Sequence, residues 1–250
     1  MRAIMVCVDY QDLLRVCLPY NRHHFDEVCV VTNVKQTIQT MELLDELGMG
    51  DIKLYNTDAF YHGNAVFNKW AALEEALDWY GRRGWMVLMD SDVLWPKNGS
   101  DILRRYLRPG FLYSPLRRMF TDTTQPLPPE DQWGRYPIHR NVGEWAGYSQ
   151  VFAADDPVLG PPPWHEIDWA HAGGADSMFQ QKWPRERKIR PPFEILHVGP
   201  AGANWCGRST PYLDGTKPEN ADERAKMVKE IWEGRRGKHG PDRFRHEKLL

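Results

Sequence analysis

The chain has 250 residues, which suits one large domain and is long enough to bury a full hydrophobic core. Hydrophobic residues make up 42% of it and charged residues 26%, as in an ordinary globular protein. The formal charge of -2 argues against a general polyanion-binding protein, although a local basic patch is compatible with it.

Apolar runs and helical periodicities alternate through the first 90 residues. Buried strands are predicted at residues 3–8, 27–32, 51–57 and 85–90. Helices are predicted between them over residues 11–24, 34–49 and 64–81. We expect Pro19 to interrupt or start the first helix, and Asn64 and Gly81 to cap the third. The alternation predicts an α/β fold whose parallel sheet is covered by helices on both faces.

The second half of the chain is less regular. Residues 108–165 are rich in Pro, Gly and aromatic side chains, which indicates ordered loops and short strands rather than a disordered linker. A helix is predicted to begin within residues 173–183, a late strand covers 193–200, and residues 221–234 form a last helix. A basic tail follows, and we find no internal repeat.

Cysteine usage and the N-terminal sequence bear on the compartment. The four cysteines form no CxxC pair, and Cys7 and Cys29 lie in apolar runs as small buried hydrophobes. We therefore expect a reducing environment. The first apolar run is too short for a signal peptide, and no stretch approaches the length of a membrane span. These features predict a soluble, cytoplasmic protein.

The stretch VLMDSDVLWP, residues 87–96, places Asp90 and Asp92 at the end of the fourth predicted strand. In parallel sheets, ligands bind beyond the carboxyl ends of the strands. Two neighbouring carboxylates repel each other unless a cation or a proton offsets the repulsion. An oxygen-bound Mn²⁺ or Mg²⁺ shared with substrate phosphates is the usual solution. We predict such a site here, with a solvated turn or a capping aspartate as the alternative.

Three further segments contain candidate functional residues. His197 closes the late strand, where it is either structural or a metal ligand, and the following loop could hold a diphosphate. Asp176 follows Gly173 and Gly174 at a helix start. It could accept a proton from an attacking hydroxyl, or it could be a first-turn acid that the helix dipole favours. Lys69 in the third helix either neutralises phosphate charge or is a solvated lysine.

Together these segments resemble a nucleotide-sugar glycosyltransferase of the GT-A fold over most of residues 3–206. VCVDYQDLL and HHFDEVCVVTN resemble the family's first two strands, and FNKWAALEEALDW resembles the helix near the nucleotide. MDSD matches the DxD motif, GGADSMFQQKW is similar to the GG-x-D/E segment of inverting members, and HVGPAGANW resembles the late H-x-x-G-x-x-K-P-W loop.

The resemblance implies a single GT-A-like domain with a Rossmann-like, mostly parallel central sheet, helices on both faces and an irregular acceptor-side region. Residues 1–107 would form the nucleotide-sugar-binding half, and residues 108–213 the acceptor-binding and catalytic half. Residues 214–250 would be a helical, basic C-terminal extension.

The resemblance also implies roles for individual residues. Asp92 and His197 would bind the metal, Asp90 would face the ribose or the metal, and Asp176 would be the general base. The implied donor-binding residues are Asp9, Thr32, Asn68, Lys69, Asp90, Gly199 and Gly202. The implied acceptor-binding residues are Trp145, Tyr148, Gly173, Gly174 and Trp205.

The sequence departs from the family pattern in three places. Gly199 is one position early in the late loop, although Gly202 and Trp205 fit a loop of the same length. Ala203-Asn204 replaces the Lys-Pro pair of the late loop, which removes a diphosphate-binding lysine from that position. The second strand ends in Thr32-Asn33 instead of a double acid, which leaves the nucleobase open, although uridine is the family's commonest partner. The late histidine loop is also found in retaining relatives, so the stereochemical outcome stays open.

The acceptor is expected to bind along residues 108–170. Six aromatic residues there are candidates for stacking on sugars or bases: Trp133, Tyr136, Trp145, Tyr148, Trp164 and Trp169. Three basic clusters, residues 103–120, 185–190 and 234–246, could track phosphates if they share a face. The alternative is that they are solvated faces, balanced by 34 acidic residues.

Several functions therefore stay open. The acceptor is a glycan, a protein, a small molecule or a hydroxymethylated base in DNA, as for some viral enzymes, which would place the protein in a bacterial or virus-infected cytoplasm. A nucleotidyltransferase is a second possibility, although VDYQDLLRV lacks the Gly-rich, basic loop of that class. A non-catalytic carbohydrate-binding protein would explain the 11 Trp residues but not the aligned acids and histidine. The sequence does not define an oligomeric state.

Overall fold

The computed structural model describes residues 1–139, 145, 147–200 and 202–233. The strands are β1 (Arg2–Val6), β2 (Glu27–Thr32), β3 (Lys53–Asn56), β4 (Trp85–Asp90), β5 (Val93–Leu94), β6 (Leu112–Tyr113), β7 (Leu116–Phe120), β8 (Ser149–Ala153), β9 (Lys188–Ile189) and β10 (Glu194–Val198). The helices are α1 (Gln11–Asn21), α2 (Thr37–Glu46), α3 (Lys69–Tyr80), α4 (Gly99–Arg104), α5 (Ala175–Phe179) and α6 (Ala221–Trp232).

Seven strands form the central sheet, in the order β3-β2-β1-β4-β8-β6-β9. The first four run parallel, and their register sets Val6 opposite both Val31 and Asp90. β8 is antiparallel to β4 and to β6. The predicted α/β fold with a mostly parallel central sheet is confirmed, and its first four strands are those that the apolar runs indicated.

A second sheet of three strands, in the order β5-β10-β7, lies at the carboxyl end of β4. β10 runs antiparallel to β5, with His197 opposite Val93. It runs parallel to β7, with His197 opposite Met119. This pairing brings the late strand beside the chain that follows Asp92.

Hydrophobic side chains cover both faces of the central sheet. One layer is built around α3 and contains Trp70 and Phe152, and the other contains Leu14 and Trp95. Because β1 and β4 are buried on both faces, their apolar runs are nearly continuous. All four cysteines are buried free thiols, as the sequence predicted for Cys7 and Cys29.

Two predicted helix ends are wrong. Residues Ala59–Asn64 form 3-10 turns with Asn64 at φ +63°, and α3 begins later. Asn68 is its N-cap, because the side-chain oxygen accepts a 3.1 Å hydrogen bond from the Ala71 N–H. Pro19 lies inside the last turn of α1 instead of interrupting or starting it, and buried neighbours such as Leu18 pack that turn onto the core.

The C-terminal helix packs against the domain. Val228 and Ile231 of α6 form a small apolar cluster with Cys206. The basic tail and the predicted basic cluster 234–246 lie outside the described residues. Within the described part of the chain, no helix is both long and apolar enough to cross a bilayer.

Candidate functional site

Asp92 and His197 are brought together by the smaller sheet. β5 starts directly after Asp92, and its pairing with β10 sets Val93 opposite His197. The Val198 N–H donates to the backbone oxygen of Asp92 at 2.8 Å. His197 Nε2 lies 3.7 Å from Asp92 Oδ2, and the two side chains are 8% and 10% exposed. The structure thus joins the second acid of the DSD motif to the predicted late histidine.

The chemistry of this pair fits a divalent cation. His197 Nδ1 lies 3.1 Å from the Gly199 carbonyl oxygen, which can only accept, so Nδ1 carries a proton and Nε2 faces Asp92. Asp92 Oδ1 is buried and has no hydrogen-bond partner among the described residues, and burial raises the pKa of this carboxyl. A nitrogen lone pair and an unsatisfied carboxylate oxygen suit Mn²⁺ or Mg²⁺. The described residues contain no group of three or more His, Cys, Asp or Glu side chains placed to hold a metal.

Asp90, the first acid of the motif, is neutralised from within the chain. Lys69 Nζ, at the first position of α3, forms an ion pair with Asp90 Oδ1. The Lys69 side chain is only 11% exposed, and its ammonium lies 4.9 Å from the centroid of the Trp70 ring. Lys69 is therefore not a solvated surface lysine, and the two acids of DSD have different partners.

Asp176 lies next to the residues that border Asp90. The Asp90 N–H donates to the Tyr148 carbonyl at 3.1 Å. The neighbouring Gly147 N–H donates to Asp176 Oδ2 at 2.7 Å, and the Ser177 N–H donates to Oδ1 at 2.9 Å. The half-buried Asp176 carboxylate and the DSD motif therefore meet across residues 147–148.

Close packing demands glycine at position 147. A Cβ added there would lie 2.7 Å from the Trp70 ring and 2.9 Å from Asp176 Cβ. Trp70 is itself fixed, because its Nε1–H donates to the Ala172 carbonyl at 2.8 Å. Gly174, at φ +103°, makes the turn into α5. Helix α3, the loop before α5 and the start of β8 thus interlock around Asp176.

A buried polar network holds Trp70 from the other side. Glu74 accepts hydrogen bonds from the Trp164 and His165 N–H groups at 3.0 and 2.9 Å, and from Arg82 at 2.7 Å. The His165 ring stacks on Trp70 with centroids 4.8 Å apart, and burial lowers its pKa. This network was not predicted from the sequence, because its members carry no local motif.

A cavity of about 160 Å³ opens beside Asp92. It is lined by Tyr10, Leu13, Asp92, Thr121, Thr123, Val198, Gly199, Pro200, Asn204, Arg208, Thr210 and Pro211. Asn204 Nδ2 donates to the Tyr10 hydroxyl. Burial and the charge of Asp92 raise the pKa of Tyr10, so the phenol stays protonated. The cavity thus places an aromatic ring next to the Asp92–His197 pair, in a wall that Asn204 and Arg208 hold by hydrogen bonds to Tyr10, Thr210 and Asp12.

Arg208 organises the wall of this cavity and is a residue that the sequence analysis missed. It is 2% exposed and donates to the carboxylate of Asp12, with Nη2–Oδ2 at 2.9 Å, and to the Asp9 carbonyl at 2.8 Å. Its guanidinium lies between the rings of Tyr10 and Tyr212, at 4.8 and 4.5 Å. Arg208 and Asp12 are 196 residues apart, and no motif in the sequence links them.

Three predicted donor-binding residues make internal contacts and do not line the cavity. The Asp9 carboxylate accepts from Gln36 and pairs with Arg224 at 3.3 Å. Thr32 is fully buried. Asn68 caps α3 and donates to the Ile167 carbonyl at 2.6 Å.

Two predicted loop glycines lie in the turn after β10. Gly199 lines the cavity, and its N–H donates to the Phe120 carbonyl at 2.8 Å. Gly202 adopts φ +69°. The hydrogen bond from Gly199 to β7 thus helps to position the loop that was predicted to hold a diphosphate.

Most of the predicted stacking rings are in the core. Four of the six are at most 5% exposed, and the prediction is wrong for them: Trp133, Tyr148, Trp164 and Trp169. The Tyr148 hydroxyl donates to the Pro115 carbonyl at 2.9 Å. Trp145 and Tyr136 are partly exposed. Gly173 packs closely against Trp205, since a Cβ there would lie 2.9 Å from the Trp205 ring.

Parts of two predicted basic clusters share a surface. The Arg117 guanidinium lies 4.3 Å from the centroid of the Tyr148 ring, and Arg190 Nη1 lies 3.4 Å from the Tyr148 hydroxyl. Arg190 and Lys188 both lie over the Trp145 ring, at 4.6 and 5.6 Å. The rings of this surface are covered by cations, so it presents charge instead of open aromatic faces.

The sequence matches no protein-family model and no curated protein. Solved structures do match. S. aureus TarS 1–349 in complex with UDP aligns with a TM-score of 0.51 and 11% identity, covering 79% of this chain and 60% of that one. Glucosyl-3-phosphoglycerate synthase from Mycobacterium tuberculosis aligns at 0.45 and 10%, covering 91% and 76%. The 4-diphosphocytidyl-2C-methyl-D-erythritol synthase from Anaerococcus prevotii aligns at 0.44 and 11%, covering 91% and 95%.

At this level of identity the likeness shows the fold alone. The chain has a GT-A-like α/β fold, with a mostly parallel seven-stranded sheet flanked by helices. A fold does not define a reaction, so the function has to be argued from the site.

Proposed function

We propose that the protein is a metal-dependent glycosyltransferase that moves a sugar from a UDP-linked donor to an acceptor hydroxyl with inversion. The observation that carries the proposal is the Asp92–His197 pair, with Nε2 and Oδ2 facing each other at 3.7 Å on the edge of a polar cavity. The Lys69–Asp90 ion pair is at the end of β4, two residues before Asp92. The backbone of residues 147–148 connects Asp90 to Asp176 by hydrogen bonds.

Asp92 and His197 would hold Mn²⁺ or Mg²⁺, with Asp90 beside them. When bound, the ion would neutralise the charge that develops on the departing diphosphate. The unsatisfied Asp92 Oδ1 and the orientation of His197 by Gly199 support this assignment.

The cavity beside Asp92 is a suitable place for one part of the donor. At about 160 Å³ it fits a nucleobase or a sugar ring, not a whole nucleotide sugar. Tyr10 offers a ring to stack against, and the Asn204 amide holds the Tyr10 hydroxyl in place. Lys69, beside Asp90, offers a positive charge to the phosphates.

Asp176 would act as the general base. The N–H groups of Gly147 and Ser177 hold its carboxylate in one orientation. It would take the proton of the acceptor hydroxyl while that oxygen forms its bond to the anomeric carbon. The bond between the anomeric carbon and the diphosphate breaks, and its electron pair leaves with the nucleoside diphosphate. Attack from the face opposite the leaving group inverts the configuration.

Two observations weigh against the rival functions. A nucleotidyltransferase would need free backbone N–H groups after β1, but the Asp9 N–H donates to Gln36 Oε1 at 2.8 Å, and the loop contains no glycine. The tryptophan content that favours a carbohydrate-binding protein is largely core. Among the Trp side chains that the structure describes, six are at most 5% exposed: Trp70, Trp95, Trp133, Trp164, Trp169 and Trp183.

Binding of the donor tests the proposal directly. We would measure thermal stability and calorimetric binding with UDP- and GDP-sugars, with and without Mn²⁺. We expect a metal-dependent stabilisation by one donor, lost in Asp92→Asn and in His197→Ala, and kept in Asp155→Asn, which alters an exposed carboxylate elsewhere. Unchanged donor binding in Asp92→Asn, or no binding of any nucleotide sugar, would contradict the proposal.

Turnover separates the base from the binding residues. Asp176→Asn should bind the donor normally and lose about 10²-fold or more in product formation. The acceptor screen would cover glycans, proteins, small molecules and hydroxymethylated DNA, with release of UDP as the readout. DNA as the acceptor would also show binding that weakens steeply with salt.

A further inference from the structure

Arg117 is a half-buried arginine whose charge is not balanced by any described residue. Its Nε is buried without a hydrogen-bond partner, and no hydrogen bond or ion pair joins its side chain to another residue in the described part of the chain. The neighbouring Arg118 differs, since it pairs with Glu194 and donates to the Tyr136 carbonyl at 2.6 Å. A buried N–H group without an acceptor is costly, and the rest of this partly exposed guanidinium is open to a ligand that supplies acceptors.

The position of Arg117 is close to the candidate metal pair. In the parallel pairing of β7 and β10, Arg117 is opposite Ile195, and Met119 is opposite His197. Since alternate residues of a strand share a face, Arg117 lies on the face of His197, two residues along. The Arg117 carbonyl also accepts from the His139 N–H at 3.0 Å.

His139 adds no positive charge there. Burial, and then the nearby charge of Arg117, lower the pKa of His139 to about 4. Its imidazole is therefore neutral at physiological pH and can donate or accept a hydrogen bond beside the guanidinium. The unbalanced charge at this position is that of Arg117.

Tyr148 connects Arg117 to the catalytic candidates. The Arg117 guanidinium lies 4.3 Å from the centroid of the Tyr148 ring. The Tyr148 carbonyl accepts from Asp90, and the preceding residue, Gly147, donates to Asp176. Arg117 thus contacts the side chain of a residue whose backbone borders Asp90 and Asp176, and it does not line the cavity beside Asp92.

We propose that Arg117 binds an anionic group of the acceptor, a phosphate or a carboxylate, and so selects acceptors that carry one. The planar guanidinium offers two parallel N–H donors to such a group. Arg190, at the other edge of Tyr148, adds positive charge to the same surface. The assignment to the acceptor rests on the proposed function, because an acceptor hydroxyl has to reach Asp176.

Calorimetric titration of the full chain with inorganic phosphate at constant ionic strength tests the proposal. We expect saturable binding to the wild type, at least about tenfold weaker binding to Arg117→Gln, and an intermediate loss in Arg117→Lys, which keeps the charge without the fork. Arg105→Gln, an exposed arginine of the same basic cluster, is the matched control and should bind as the wild type does. Because the only described contact of the Arg117 guanidinium is with the Tyr148 ring, and it makes no described hydrogen bond or ion pair, its variants should change the Tm little. Acetate as a second probe tells a carboxylate site from a phosphate site.

Binding of UDP with Mn²⁺ to the same variants separates this proposal from the proposed function. Normal UDP binding with lost phosphate binding in Arg117→Gln supports both. A parallel loss of UDP binding would mean that Arg117 holds the donor diphosphate, and it would overturn the acceptor assignment. Equal phosphate binding by Arg117→Gln and the wild type would overturn the anion site, while metal-dependent UDP binding would still support the transferase. Phosphate binding at Arg117 in a protein that binds no nucleotide sugar would overturn both the proposed function and the acceptor assignment.

Discussion

Replacing Arg208 by methionine should destabilise the fold strongly. Methionine keeps much of the length of the side chain but none of its donors. Arg208 is 2% exposed, and its loss leaves the Asp12 carboxylate with the Leu213 N–H at 2.8 Å but without its cation. Removing one partner of a buried ion pair costs about 3–5 kcal/mol. Because the Asp12 side chain is 19% exposed and can recruit water, we expect the lower part of that range, about 3 kcal/mol.

Urea unfolding followed by tryptophan fluorescence measures the difference in the free energy of unfolding. Arg15→Met is the matched control, because the Arg15–Glu46 pair is 47% and 60% exposed and should contribute little to stability. Adding Asp12→Leu to Arg208→Met should recover part of the loss, since no unpaired buried charge then remains. A loss in Arg208→Met within about 1 kcal/mol of the loss in Arg15→Met would refute this account of the cavity wall.

Two further predictions concern packing and pH. Gly147→Ala should lower the free energy of unfolding by about 1–3 kcal/mol, because the new methyl group would overlap Trp70 and displace Asp176. Urea unfolding measures the loss of stability. A displaced Asp176 should reduce product formation while the donor affinity stays as in the wild type. Burial and then the neighbouring His23 lower the pKa of His24 from 6.5 to about 4, so between these values the unfolded chain binds a proton that the folded chain does not. Stability should fall as the pH drops through that window, by no more than about 3 kcal/mol, and His24→Phe should show a flatter profile in urea unfolding at neutral pH and near about pH 5.

The fold could be predicted from the sequence because its signals are local. Apolar runs with helical segments between them define four parallel strands, and the DSD stretch follows the carboxyl end of the fourth, the edge where parallel sheets generally bind ligands. Helix ends were less predictable. Asn64 and Asn68 are both suitable caps, and only the 3-10 turns before Asn68 decide between them.

The partners of the site residues could not be read from the sequence. The exposure of an aromatic ring depends on what the tertiary structure packs against it, and for this reason Tyr148 looked like a stacking surface and is a core residue. Arg208 was missed for the same reason, since Asp12 and Tyr212 surround it only after the chain ends meet. The resemblance to the family implied that Asp92 and His197 act together, but their contact depends on the pairing of β5 with β10.

The two acids of the DSD motif lie at one strand end but have their charges compensated in different ways. Two carboxylates at one strand end cannot both stay ionised without compensation. The chain balances Asp90 with its own cation, Lys69, and that ion pair also ties α3 to the end of β4. Asp92 faces an imidazole whose other nitrogen is held by Gly199, and its Oδ1 is unsatisfied within the described residues. A positive charge from outside the chain would satisfy Asp92 alone. Lys69→Met should therefore impair stability and donor binding even with metal in excess. An Asp92 variant should bind the donor less well than the wild type when metal is present, and equally well when metal is withheld from both proteins.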